Sequence, residues 1–92
     1  VIGFVHCEWM IHDSFSLKDK RSVMKRILTR VKQQYNVAVS ELDYQDSWQR
    51  AKIGIVAISS DKTHTEKELN RVLAFIDSFP EIERTLTVYE WL

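Results

Sequence analysis

Four sets of residues in this 92-residue chain have the chemistry to form a site. The first is a carboxylate cluster, Glu41, Asp43 and Asp46, in the stretch "SELDYQD". Alternation along a strand places Glu41 and Asp43 on one face, and paired carboxylates can hold a metal ion or move a proton. No His joins them locally, no nucleophile follows and no glycine-rich loop precedes a helix. We therefore expect a solvated hairpin end, with Arg50 available to pair with one of the acids, and no metal or cofactor site. The second set is Cys7 with His6, His12 and His64. Their spacing matches no zinc motif, and a single cysteine cannot form an internal disulfide. Cys7 reads as a small buried hydrophobe. The third is Trp48, expected to anchor the hairpin by packing. The fourth is the strongest signal. "SFSLKDKRSVMKRILTRVKQQYN" carries Lys18, Lys20, Arg21, Lys25, Arg26, Arg30 and Lys32 against the single acid Asp19, in a chain whose thirteen cations and thirteen anions cancel.

That basic segment has the form of a helix. Ser16 is an N-cap and Asp19 completes a capping-box-like S-x-x-D. Met24, Ile27, Leu28, Val31 and Tyr35 then recur at intervals of three and four, which is one apolar helix face. Lys18, Arg21, Lys25 and Lys32 cluster on one flank of the remainder, and Arg26 and Arg30 lie elsewhere on the polar side. Like charges at i,i+4 destabilise a helix by a few tenths of a kcal/mol per pair. Cations in a first turn also oppose the positive end of the helix dipole. A phosphate would be favoured there by the free N–H groups, the dipole and the cations together. We therefore take Lys18, Lys20, Arg21, Lys25 and Arg26 as candidate phosphate contacts. Arg30 and Lys32 suit the helix C-terminus without a partner.

Around this helix the apolar pattern predicts a strand over residues 1–12, with Val1, Val5, Cys7, Trp9 and Ile11 toward the core. Further strands are predicted at Asn36–Tyr44 and Ala51–Ser59, separated by the turn "QDSWQ" and followed by a second capping box at Thr65 and Glu68. Leu69, Val72, Leu73, Ile76 and Phe79 mark a second helix, which Pro80 ends. "RTLTVYEWL" is the closing strand. The order β-α-β-β-α-β predicts a single α+β, ferredoxin-like domain over residues 1–92: a four-stranded antiparallel sheet in the order 4-1-3-2, with both helices on one face. Phe4, Met10, Tyr89 and Trp91 are expected on the other face. That is more apolar surface than a monomer usually exposes, and it suits self-association or docking to a partner.

Composition bounds the rest. The chain is 45% hydrophobic and 28% charged, with two Gly and one Pro, a globular balance. No basic region precedes its apolar beginning and no run reaches the length of a bilayer span. The expected compartment is the cytoplasm.

Three pieces, SLK-x-KR at Ser16–Arg21, YNVAVSE-x-D at Tyr35–Asp43 and QD-x-WQRA at Gln45–Ala51, resemble in order and spacing the YlxP-like family, a bacterial domain family of unknown function. Asp19 stands where that family commonly has Glu, which keeps the acid. The resemblance implies a ferredoxin-like fold. It also implies a setting near the ribosome, because members are often encoded beside translation factors, among them the cold-shock ribosome-binding factor A. The resulting expectation is a non-catalytic module that binds ribosomal RNA or a ribosomal subunit through its basic helix. The alternative is a protein-interaction module that forms a homodimer through the open sheet face. Signatures of base-reading modules are absent: no RNP aromatics, no GxxG loop and no zinc knuckle.

Overall fold

A computed structural model describes all 92 residues. Strand β1 (Ile2–Ile11) leads to helix α1 (Leu17–Gln34). The hairpin of β2 (Ala38–Asp43) and β3 (Arg50–Ile58) follows, then helix α2 (Lys62–Asp77) and strand β4 (Ile82–Trp91). The strands lie in the order β2-β3-β1-β4, every neighbouring pair antiparallel. This is the expected ferredoxin-like α+β arrangement, and Ala51, Ile53, Ile55 and Ala57 make β3 the apolar interior strand.

Alternation in β1 decides which face is covered. Val5, Cys7, Trp9 and Ile11 are all buried, and they pack with Met24, Ile27 and Val31 of α1 and with Leu69, Val72, Leu73 and Ile76 of α2. Tyr35, the cap residue of α1, meets Phe75 of α2 in a tilted contact with centroids 5.5 Å apart, and Phe75 meets Phe79, just beyond α2, edge-on at 5.4 Å. Such pairs add about 0.5–1.5 kcal/mol beyond the area they bury.

The N-terminus of α1 forms as its sequence requires. The Ser16 hydroxyl accepts from the Asp19 N–H at 3.0 Å, and the Asp19 carboxylate accepts from the Phe15 N–H at 3.1 Å. Helix α2 starts earlier than the Thr65–Glu68 box predicts. Its N-cap is Asp61, whose carboxylate accepts from the Thr63 N–H at 3.2 Å. Thr65 lies buried inside the first turn, its hydroxyl donating back to the Asp61 carbonyl at 3.1 Å. The helix gives way to the cap residue Ser78 ahead of Pro80.

Two one-residue bulges reassign side chains between the faces of the sheet. Against β1, Leu86 faces Glu8 but Arg84 faces Trp9, so Thr85 is the extra residue. Beyond it Thr87, Tyr89 and Trp91 sit opposite Cys7, Val5 and Gly3, on the helix side. The expectation that Tyr89 and Trp91 lie on the open face is therefore wrong. Trp91 packs against the core and under Lys62, and the Tyr89 hydroxyl bonds Asn70 of α2. Burial pushes the Tyr89 phenol up. Against β3, Glu41 faces Ile53 and Asp43 faces Lys52, so Leu42 is the second extra residue. A bulge leaves two residues opposite one and shifts the side-chain parity beyond it.

Candidate functional site

The second bulge separates the two carboxylates. Glu41 is carried to the helix side with the core-facing Ile53, while Asp43 goes with Lys52 to the open side. Glu41 and Asp43 therefore do not share a face, contrary to the alternation of their strand. The Asp43 carboxylate accepts from the Tyr44 N–H at 2.7 Å, and Asp46 lies exposed in the turn. No group of three or more His, Cys, Asp or Glu comes together in an arrangement able to hold a metal ion.

Glu41 reaches up to α1. There Lys20, with 0% of its surface exposed, places its ammonium 2.8 Å from Glu41 Oε2 and donates to the Tyr44 carbonyl at 2.6 Å. A buried ammonium is tolerated only where its charge and its donors are met, and here the hairpin supplies both partners. Lys20 is therefore removed from the candidate phosphate contacts: it pins the first turn of α1 to the hairpin and cannot reach a ligand. Its position explains this, since Lys20, Met24, Ile27 and Val31 line one face of the helix and are all buried. Tyr44 adopts a left-handed backbone, with φ of 62°, a conformation uncommon for a non-glycine residue. Lys20 grips the carbonyl of that residue.

On the open side, Glu8 takes two donors, the Tyr44 hydroxyl at 3.0 Å and Arg50 at 2.8 Å. The Arg50 guanidinium also lies 4.0 Å from the Tyr44 ring centroid. Arg50 thus pairs with none of Glu41, Asp43 or Asp46. The hydrogen bond to Glu8 raises the Tyr44 phenol pKa. Cys7 is buried and its thiol is raised, chiefly by desolvation, the reverse of what activates a thiolate nucleophile. The remaining sequence candidate on the hairpin, Trp48, is 50% exposed and does not anchor it by burial.

Of the other cations on α1, Arg26 is tied down. It forms an ion pair with Glu81, and both Arg26 and Arg30 lie over the Phe79 ring, with guanidinium carbons 5.9 and 5.7 Å from its centroid. The Arg26 guanidinium holds the Glu81 carboxyl below its usual range. Lys18, Arg21, Lys25 and Lys32 are exposed, and no carboxylate lies within ion-pairing distance of any of them. They occupy one flank of the helix, turned away from the Arg26–Phe79 contact with the C-terminal end of α2. At ~1.5 Å rise per residue they form a stripe about 21 Å long. Of the five sequence candidates, Lys18, Arg21 and Lys25 share this stripe, and Lys32 extends it.

Topology and core place the chain among α+β ferredoxin-like domains, with an open sheet face and an unpaired basic helix flank. Residues 2–88 match the family described as "Protein of unknown function (DUF503)", and the chain belongs to that family. It is 64% identical over 91 residues, 99% of each chain, to a relative from Bacillus subtilis (strain 168) described as "Uncharacterized protein YlxP". The three sequence pieces that carry the YlxP-like resemblance each supply a tertiary contact of the hairpin, two on the helix side of the sheet and one on the open side. SLK-x-KR supplies Lys20, YNVAVSE-x-D supplies Glu41, and QD-x-WQRA supplies Arg50 against Tyr44 and Glu8. Lys20 and Glu41 join the helix to the hairpin, so those two residues of the three pieces have a structural role.

Proposed function

We propose that the protein is a non-catalytic binding module for structured ribosomal RNA, acting at the ribosome, with the α1 flank of Lys18, Arg21, Lys25 and Lys32 as its phosphate-contacting face. The carrying observation is that these four exposed cations lack carboxylate partners. Arg30, Lys52, Lys62 and Lys67 also lack one, but none of them lies on this flank, and it is the clustering of four unpaired cations that sets the flank apart. Four unpaired like charges on one helical flank repel one another, and Lys18 also opposes the helix dipole. A polyanion would turn both terms favourable. Contacts of this kind read backbone and shape rather than base identity. The resemblance to a family encoded beside translation factors supports the ribosome as the setting. A non-catalytic reading is supported by the buried, unactivated Cys7 and the separation of Glu41 from Asp43.

The test is co-sedimentation with ribosomal subunits at low and high salt, comparing wild type with Arg21→Gln/Lys25→Gln. The wild type is expected to co-sediment at low salt and be released at high salt, and the double variant to be released at lower salt. Absence from both subunits at every salt concentration would overturn the proposal.

A further inference from the structure

Two aromatic side chains have no role in the fold, and both stand at the end of the sheet where α1 begins. The chain has four Phe and three Trp. Of these seven only Phe15 and Trp48 are exposed, at 71% and 50%. Each of the other five packs against an aromatic ring or lies under a cation, and Phe15 and Trp48 do neither. Phe15 lies in the connection from β1 to α1, and Trp48 in the turn from β2 to β3. The backbone beside each is fixed. Ser14 is buried, Ser16 caps α1, and the Phe15 N–H donates to the Asp19 carboxylate at 3.1 Å. The Ser47 N–H donates at 3.0 Å to the Tyr44 carbonyl that Lys20 of α1 also holds, and the Gln49 carbonyl accepts from the Ile11 N–H at 2.8 Å. Trp48 therefore sits between two residues tied to the first turn of α1 and to the end of β1.

We infer that Phe15 and Trp48 are stacking platforms for unpaired bases of RNA. The inference rests on the RNA reading above and narrows its ligand to a duplex that continues into unpaired nucleotides. Position is the first reason. Lys18 and Arg21, the first two cations of the stripe, follow Phe15 within two turns of chain, and the Trp48 turn is tied to that same first turn of α1 through Lys20 and Tyr44. A nucleotide joins its base to its phosphate through one sugar, so a strand whose backbone follows the stripe carries its bases past this end. Charge is the second reason. An exposed ring alone suits any apolar partner, but the neighbouring cations lack carboxylates and select a polyanion. Rings and cations together match a polyanion that carries flat π-faces. Stacking of this kind is sequence-tolerant, because every base has a π-face, and it agrees with the absence of base-reading signatures from the chain. Holding the backbone beside both rings in place before binding reduces the ordering cost of the contact.

Fluorescence anisotropy with two labelled probes tests it. Both are the same RNA duplex with a single-stranded overhang of equal length, made of adenosines in one probe and of abasic nucleotides in the other. Their charge is equal, so the ratio of the two affinities isolates the bases. The wild type is expected to bind the adenosine probe at least ~5-fold more tightly, the lower end of what one stacked base contributes. Trp48→Ala and Phe15→Ala should each lower that ratio, and the double variant should bring it to about one, as the loss of the stacked bases requires. Trp48→Phe, which keeps a ring, should retain part of it. A merely structural role would weaken binding of both probes together and leave the ratio unchanged. Equal binding of the two probes by the wild type, or a ratio that the double variant does not lower, would overturn this inference and leave the phosphate contacts standing. Binding of neither probe would overturn the RNA reading and this inference with it.

Discussion

Replacing Lys20 with Met should damage this protein far more than replacing any other lysine of the basic helix. Met keeps most of the volume of the side chain and the helix propensity, so the change isolates the ammonium. Two groups lose a partner. The Tyr44 carbonyl, now bonded to Lys20 at 2.6 Å, keeps only the Ser47 N–H at 3.0 Å, a loss of one charge-assisted hydrogen bond worth about 1.5 kcal/mol. The Glu41 carboxylate loses its cation. Breaking a fully buried pair costs about 3–5 kcal/mol, but Glu41 is 20% exposed, so water recovers part of this. We expect a net loss of about 3 kcal/mol, which at ~4–8 °C per kcal/mol for a domain of this size lowers Tm by about 12–24 °C. Urea unfolding reads it, with the midpoint moving at constant slope. In the double variant Lys20→Met/Glu41→Gln the loss should fall short of the sum of the single losses by about 1 kcal/mol, the signature of direct contact. Lys18→Met, three-dimensionally exposed, should stay within about 0.5 kcal/mol. A Lys20→Met loss equally small would show that Lys20 is solvated, and would refute the helix–hairpin joint.

Two further outcomes follow from the packing and electrostatics. Gly3→Ala would set a Cβ 2.8 Å from Thr65 Cγ2 and Trp91 Cζ3 and 2.9 Å from Leu69 Cδ1, so urea unfolding should show a loss of about 1–3 kcal/mol from overpacking. Arg26→Gln should cost about 0.5–1 kcal/mol at neutral pH, the pair being partly exposed, and pH-dependent unfolding should show this difference fading in acid. The Glu81 carboxyl is depressed in the folded state, so its stabilisation is complete above the unfolded carboxylate range and is lost as pH falls through the folded value.

Most of the architecture was legible because burial periodicity is a local signal. The odd positions of β1, the apolar face of α1 and the Ser16 cap all form as their spacing requires. The misreadings have specific causes. Lys20 falls in register with Met24, Ile27 and Val31, so the spacing itself marked a core position, but its charge assigned it to the surface. The Lys20–Glu41 pair depends on a contact between α1 and β2 that no local pattern encodes. Tyr89 and Trp91 changed face because Thr85 is an extra residue, and Glu41 parted from Asp43 because Leu42 is another. A one-residue bulge leaves the sequence pattern unmarked yet inverts every side chain beyond it. At α2, the Thr65–Glu68 spacing satisfied a capping box, but Asp61 offered an earlier cap and Thr65 turned its hydroxyl back to the Asp61 carbonyl. The exposed flank of α1 was legible as charge. Which of its cations are free to bind was not, because Arg26 finds Glu81 only through the tertiary fold.

The central claim is that Lys18, Arg21, Lys25 and Lys32 contact phosphates while Lys20 does not. A salt titration of binding to ribosomal RNA fragments, followed by fluorescence anisotropy, tests it most directly. Four contacts to a duplex region at ~0.9 released counterions each predict a log–log slope of about −3.6 for the wild type, shrinking to about −1.8 in Arg21→Gln/Lys25→Gln. Lys20→Arg, assayed where it remains folded, should keep the wild-type slope. An unchanged slope and affinity in the Arg21→Gln/Lys25→Gln variant, or no binding by the wild type at any salt concentration, would contradict the account.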